Sequence, residues 1–150
     1  MESYSISKAR LADVPALKRI EAECELSPWT IAAYRSELEH PHSIMLTARA
    51  ADGAIVGFIV GRAVSDGDAE IQNLGTIREV RRRGVGSTLI KAFKGICSER
   101  QVSGIWLEVR VTNRSAIDFY RSHGFVKKGI RPNFYTNPIE NADLMYAALT

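Results

Sequence analysis

The sequence predicts one mixed α/β domain over residues 1–150, with two strands of its sheet parallel and joined through a helix. Three observations carry this expectation. First, the apolar segment Ala69 to Ile77, a helical segment ending near Arg100 and the apolar segment Gly104 to Val111 form a strand–helix–strand crossover, which joins parallel strands. Second, Asp52-Gly53 between two strand-like segments is a hairpin turn, so antiparallel strands are present as well. Third, 150 residues with 45% hydrophobic and 25% charged side chains suit one core, and disorder is not indicated.

The elements follow in order. Tyr4 to Lys8 alternates as a first strand. Asp13 can cap a helix in which Val14, Leu17, Ile20 and Cys24 recur at helical spacing, with Pro15 tolerated in the first turn. Ser27-Pro28-Trp29-Thr30 breaks the chain, and Thr30 caps a second short helix through Leu38, stopped by His40-Pro41. Ser43 to Ala51 and Ala54 to Val64 are the hairpin strands, and Ala69 to Ile77 is the next. Val85, Leu89, Phe93 and Ile96 give the following helix one buried stripe. After the strand Gly104 to Val111, Asn113 caps a helix that ends at His123-Gly124, where glycine permits the left-handed stop. Phe125 to Ile130 and Leu144 to Leu149 complete the sheet, in the order β-α-α-β-β-β-α-β-α-β-β.

The net charge of +3 equals the charge of Arg81-Arg82-Arg83, so the positive excess is focused on one loop rather than spread as a nucleic-acid stripe. No direct nucleic-acid binding is expected. Cys24 and Cys97 fall on apolar helical stripes and no Cys/His cluster has zinc spacing, so they read as small buried hydrophobes, with no metal. No apolar run reaches the ~18 residues of a membrane span, and the N-terminus lacks a secretory pattern. A cytoplasmic monomer or weak dimer is the expectation.

Three patterns carry chemistry. Arg81 to Ser87 joins a strand to a helix. Gly84 and Gly86 allow a tight turn and a bare backbone, and the amides at a helix start form an anion site. The segment is neither a dinucleotide fingerprint nor a P-loop, and a surface turn with solvated arginines is the plainer alternative. On the next strand, Ile105, Leu107, Val109 and Val111 share one face, while Trp106, Glu108 and Arg110 share the other. A mid-strand carboxylate there is either ion-paired or kept for proton transfer. Asn113 and Tyr120 lie nearly two helical turns apart and can face one side, as cap and core aromatic or as ligand-facing groups.

Taken together, Arg81-x-x-Gly84-x-Gly86, Leu107-Glu108-Val109-Arg110-x-x-Asn113 and Ala116-Ile117-x-x-Tyr120-x-x-x-Gly124-Phe125 resemble the GNAT superfamily of acetyl-CoA-dependent N-acetyltransferases. The resemblance spans nearly the whole chain. Pro28-Trp29-Thr30, Asn73-Leu74 and Asn133-Phe134-Tyr135 are similar to the bacterial ribosomal-protein-alanine N-acetyltransferase (RimI) type. It implies a mostly antiparallel sheet whose central parallel pair is splayed around acetyl-CoA, with helices on both faces. It also implies that Leu74, Gly75 and Thr76 offer backbone groups to the pantetheine arm and acetyl carbonyl. Arg81, Arg82, Arg83, Gly84, Val85, Gly86 and Ser87 would cradle the pyrophosphate, and Asn113 would bind the cofactor near its arm. Glu108 matches the general base and Tyr120 the general acid, with Trp29, Asn133 and Tyr135 near the acceptor. The chain departs from that type at Arg131-Pro132-Asn133 and at Glu140-Asn141-Ala142-Asp143, both in the acceptor region.

The expected reaction is direct acetyl transfer to the α-amino group of a protein N-terminus, with a ribosomal protein as a candidate acceptor. A lysine or small-molecule amine is the alternative acceptor. A non-catalytic acyl-CoA- or RNA-binding module is the alternative class.

Overall fold

The computed structural model describes residues 3–149. Its strands are β1 (Ser5–Lys8), β2 (Ser43–Arg49), β3 (Ile55–Ala63), β4 (Ala69–Thr76), β5 (Gly104–Arg110), β6 (Val126–Tyr135) and β7 (Glu140–Ala148). The α-helices are α1 (Val14–Glu23), α2 (Ile31–Leu38), α3 (Val85–Glu99) and α4 (Arg114–Ser122). The strands form one sheet in the order β1-β2-β3-β4-β5-β7-β6. Only β4 and β5 pair in parallel, because α3 returns the chain to the same end of the sheet; every other pair is antiparallel.

The helices cover both faces. Val14, Leu17 and Ile20 of α1 and Tyr34 of α2 pack on Met45, Phe58 and Val60. Leu89, Ile90, Phe93 and Cys97 of α3, with Ile117 of α4, pack on the opposite face over Ile59, Ile71, Ile105, Leu107 and Met145. The buried stripe of α3 is thus the one its 3.6-residue period sets. Burial pushes the Cys97 thiol up to about 11.

Local signals account for most element ends. Thr30 Oγ1 accepts the Ala33 N–H at 3.0 Å and Asn113 Oδ1 accepts the Ala116 N–H at 3.2 Å, so both cap helices as expected. Asp13 does not cap α1. Its carboxylate accepts the Arg10 N–H at 2.8 Å and pairs with Arg49 at 2.8 Å, closing the single 3-10 turn Leu11–Asp13 that precedes the helix. The last hairpin is longer than the sequence suggests, since β6 continues to Tyr135 and β7 begins at Glu140. A register break between Lys127 and Gly129 leaves Lys128 unpaired, and a second between Arg131 and Tyr135 absorbs Pro132, which supplies no ladder donor. The hairpin therefore carries Arg131 and Tyr135 back beside β5.

Candidate active site

The two central strands part. Their pairing ends at Ala69↔Ile105 and Glu70↔Trp106, although β4 continues to Thr76 and β5 to Arg110. A bulge drives the separation. Val60 of β3 faces Asn73 and Gly61 faces Ile71, so Gln72 is an extra residue in β4. Such an insertion bends its strand and adds twist. Beyond it, Leu74, Gly75 and Thr76 pair only with Ile59, Phe58 and Gly57 of β3, and their other edge faces the gap.

At the end of β4 the chain enters α3 through the arginine loop. Gly84 is the N-cap at φ +84°, with no side-chain cap for the first amides of the helix. A Cβ at Gly84 would meet nothing within 4 Å, so its backbone angle alone favours glycine. At Gly86 a Cβ would lie 3.2 Å from the Phe119 ring, so this glycine lets α3 and α4 approach one another. The amides of Val85, Gly86 and Ser87 at this helix start have no side-chain cap, and Ser87 Oγ lies 2.9 Å from His123 Nε2. Arg81, Arg82 and Arg83 are exposed, and Arg82 is itself left-handed at φ +65°. Arg81 donates to Cys24 Sγ at 3.4 Å, and Cys24 donates to the Thr76 carbonyl at 3.2 Å. Cys24 is therefore half-buried and tied to the end of β4, a correction to its reading as a small core residue.

Across the gap stands Glu108. Leu107 points into the α3 core, so alternation puts Glu108 on the face of α1 and α2. It lines a 340 Å³ cavity with Asp68, Glu70, Trp106, Arg131 and Leu144. Trp106 Nε1 donates to Asp68 Oδ2 at 3.0 Å, and its ring lies 4.5 Å from that of Tyr146. Arg131 Nε pairs with Glu108 Oε1 at 3.2 Å. Burial and the neighbouring Glu70 nevertheless raise the Glu108 carboxyl above its ordinary value, against the lowering by Arg131. The mid-strand carboxylate is thus ion-paired, as one of the two sequence readings has it, and its pKa is raised all the same.

Tyr120 projects from α4, with ring centroids 5.5 Å from Phe119 and 5.6 Å from Phe125. Burial, with Tyr135 beside it, holds its phenol well above the ordinary range. Its hydroxyl has no hydrogen bond to another described residue. Burial first, then Glu108, pushes Tyr135 up to about 12, against the lowering by Arg110. Tyr135 is thus coupled electrostatically to both Glu108 and Tyr120.

A second cleft, of 810 Å³, opens between α1 with the loop after it, the end of β5 and the β6–β7 turn, lined by Glu25, Leu26, Pro28, Arg110, Asn137 and Glu140 among others. Arg110 is the strut on one side. It pairs with Glu140 at 3.0 Å, donates to the Pro138 carbonyl at 3.1 Å and lies 4.3 Å over the Tyr135 ring. Hydrogen bonds from Thr112 and Arg110 hold the Glu140 carboxyl below its ordinary value. Pro28 lines the other side, while Trp29, outside that lining, packs on Tyr34 at 5.1 Å. Its N–H donates to the buried Glu21 at 3.1 Å, and its carbonyl accepts from Lys18. Asn133 sits at φ +54° in β6, its N–H donating to Asn141 Oδ1 at 2.9 Å.

Tyr135 interacts electrostatically with both Glu108 and Tyr120, and Glu108 stands across the gap from Leu74, Gly75 and Thr76. The loop Arg81 to Ser87 and the cap Asn113 follow the C-terminal ends of β4 and β5. Glu70, Arg131 and Glu140 also shape this region. The sequence marks Arg131 and Glu140 through the departures noted above, whereas only sheet register places Glu70 there. Among the described residues, no three His, Cys, Asp or Glu side chains group to hold a metal.

The family model of the Acetyltransferase (GNAT) family matches residues 14–125. The chain is 34% identical, over 97% of its length and 95% of the relative's, to a Bacillus subtilis (strain 168) protein named as a candidate ribosomal protein bS18-alanine N-acetyltransferase. It is 30% identical, over 97% and 96%, to the Escherichia coli (strain K12) ribosomal protein bS18-alanine N-acetyltransferase. Ard1 from Thermoplasma volcanium superposes with a TM-score of 0.89 at 33% identity, covering 98% of each chain.

Proposed function

This chain belongs to the GNAT acetyltransferase family, and from that premise we propose that it acetylates a protein N-terminus using acetyl-CoA, with Glu108 as general base and Tyr120 as general acid. One observation supports the reading: the Glu108 carboxyl, with raised pKa, and the Tyr120 phenol, whose hydroxyl has no hydrogen bond to another described residue, both interact electrostatically with Tyr135. Acetyl-CoA fits the residues present. Bare amides of Val85 to Ser87 suit its pyrophosphate, the free edge of β4 suits its amide-bearing arm, and the Asn113 amide group remains available beside the cap. Acetyl-CoA supplies the acetyl thioester.

Only a neutral amine attacks a thioester. An α-amino group, with a pKa of about 7.7–8.0, is roughly a tenth neutral near pH 7, whereas a lysine near 10.4 is neutral to well under a thousandth. Glu108 accepts the proton released as the nitrogen–carbon bond forms, directly or through one water. A free N–H at the edge of β4 near Gly75 and Thr76 stabilises the oxyanion. As the carbon–sulfur bond breaks, Tyr120 hydrogen-bonds the departing sulfur. Its raised pKa keeps the phenol protonated at neutral pH, so the hydrogen bond matters more than complete transfer.

The 810 Å³ cleft beside the gap gives the acceptor chain room to lie between the loop after α1 and the β6–β7 turn. Two relatives are named for the alanine of ribosomal protein bS18, which favours a ribosomal-protein N-terminus as acceptor, in the cytoplasm. The test is acetylation of peptides with free N-termini, N-blocked peptides with internal lysines, and polyamines. Free N-termini should be acetylated at least tenfold faster. Equal or faster acetylation of the lysine peptides or polyamines overturns the acceptor assignment.

A further inference from the structure

Asn73 has no role in the reaction as set out above. It sits on β4 where the bulge turns that strand away from β5. It is 8% exposed, and its Nδ2 is buried with no hydrogen-bond partner. Leaving a buried donor unsatisfied is costly, and a few such groups mark places where a partner arrives from outside. Position narrows the partner. Asn73 pairs with Val60, which belongs to the core under α1 and α2, so its side chain lies on that face. Glu108 lies on the same face of the other arm. The last pair of the parallel ladder is Glu70↔Trp106, so Asn73 and Glu108 rise to similar heights on opposite sides of the gap.

We propose that Asn73 Nδ2 donates a hydrogen bond to the carbonyl oxygen of the acceptor's first residue and thereby selects α-amino groups over side-chain amines. The inference rests on the peptide N-terminus reading. The donor needs an oxygen that arrives on the Glu108 side, where the nucleophilic amine must sit to lose its proton. In a peptide N-terminus the carbonyl is attached to the same Cα as the amine, so an amine near Glu108 carries an acceptor oxygen toward the opposite arm. A lysine amine ends a flexible four-carbon stem and brings no oxygen at that spacing. A pantetheine carbonyl is the competing partner, and acetyl-CoA affinity separates the two.

The test compares wild type with Asn73→Leu, which keeps the volume and removes the donor, and with Asn73→Ala as a second variant. Each is given two acceptors of one sequence, a free-N-terminus peptide and its analogue with an (E)-alkene in place of the first amide. Wild type should lose about tenfold in kcat/KM on the alkene analogue, while both variants treat the two acceptors alike and bind acetyl-CoA normally. A wild type indifferent to the alkene overturns the inference and leaves the N-terminal reading standing. Variants that still discriminate, or that lose acetyl-CoA affinity instead, also overturn it. A wild type that acetylates no peptide N-terminus removes both.

Discussion

Arg131 Nε stands 3.2 Å from Glu108 Oε1, yet the Glu108 carboxyl titrates above its ordinary value. The Arg131 side chain is 55% exposed and that of Glu108 is 13% exposed, so solvent weakens the guanidinium's pull while burial acts fully on the carboxyl. Glu70, on the last paired position of β4, adds like charge. The result is a carboxyl more basic than an exposed one.

Glu108→Gln should lower kcat by about 10²-fold or more near pH 7, with acetyl-CoA affinity unchanged. The loss should shrink at high pH, where the amine is neutral without help. For stability, a raised carboxyl pKa means the folded state binds the proton more tightly than the unfolded chain. Its contribution is present at low pH and lost as pH rises through the folded pKa. The variant should therefore melt no lower than wild type at pH 7. Steady-state rates across pH 6–10 and thermal melts check both expectations.

Arg131→Met removes the opposing charge. The Glu108 pKa should rise further, and the acid limb of the kcat/KM profile should move to higher pH. A profile that stays in place would show that Glu108 does not set that limb.

Tyr120→Phe keeps the ring contacts to Phe119 and Phe125 and removes the hydroxyl. kcat should fall by about 10²-fold, with the acetyl-CoA dissociation constant within twofold of wild type by calorimetry. Replacing a CoA leaving group by a more acidic thiol should recover part of the loss.

Gly84→Val tests the anion site. The position needs φ +84°, which a β-branched residue adopts at a cost of about 1–2 kcal/mol, and the added side chain projects into open space. Acetyl-CoA binding should weaken by at least tenfold while the core contacts persist. Calorimetry reads the affinity and a thermal melt the strain.

Acid stability tests a part of the fold remote from the gap. Arg62 grips Glu37 through two hydrogen bonds of 2.7 and 3.0 Å, and the pairing outweighs burial to hold the carboxyl below its ordinary value. Asp13, with Arg10 and Arg49, is held low in the same way. A lowered carboxyl stabilises the fold above its unfolded pKa, and that stability is lost as pH falls through the folded pKa. Glu37→Gln should cost about 1–3 kcal/mol at pH 7 and little at pH 3, so the two melting curves should converge in acid.

Much of the frame is legible in the residues themselves. Asn113 and Thr30 cap helices where their side chains reach the N–H three residues on, a purely local event. The stripe Val85, Leu89, Phe93 fixes which side of α3 is buried, and the crossover fixes β4 parallel to β5. Asp13 misled because its partner Arg49 comes from a strand 36 residues away, and no window of sequence contains both. The end of β6 was equally hidden, since Pro132 reads as a stop and only pairing with β7 carries the strand past it.

The sequence by itself determined the family, the element order and the glycine at the start of α3, and it put forward Glu108 and Tyr120 as candidates for the chemistry. Those depend on hydrophobic period, turn chemistry and spacing, which act over a few residues. Only the tertiary structure decided that Gln72 is an unpaired insertion, that the strands part after Glu70 and Trp106, and that Asn73 is left with an unmet donor. It also set Arg131, Glu70 and Tyr135 around Glu108. Register, burial and the field at a carboxyl are properties of neighbours far apart in the chain, and they exist only once the sheet has closed around them.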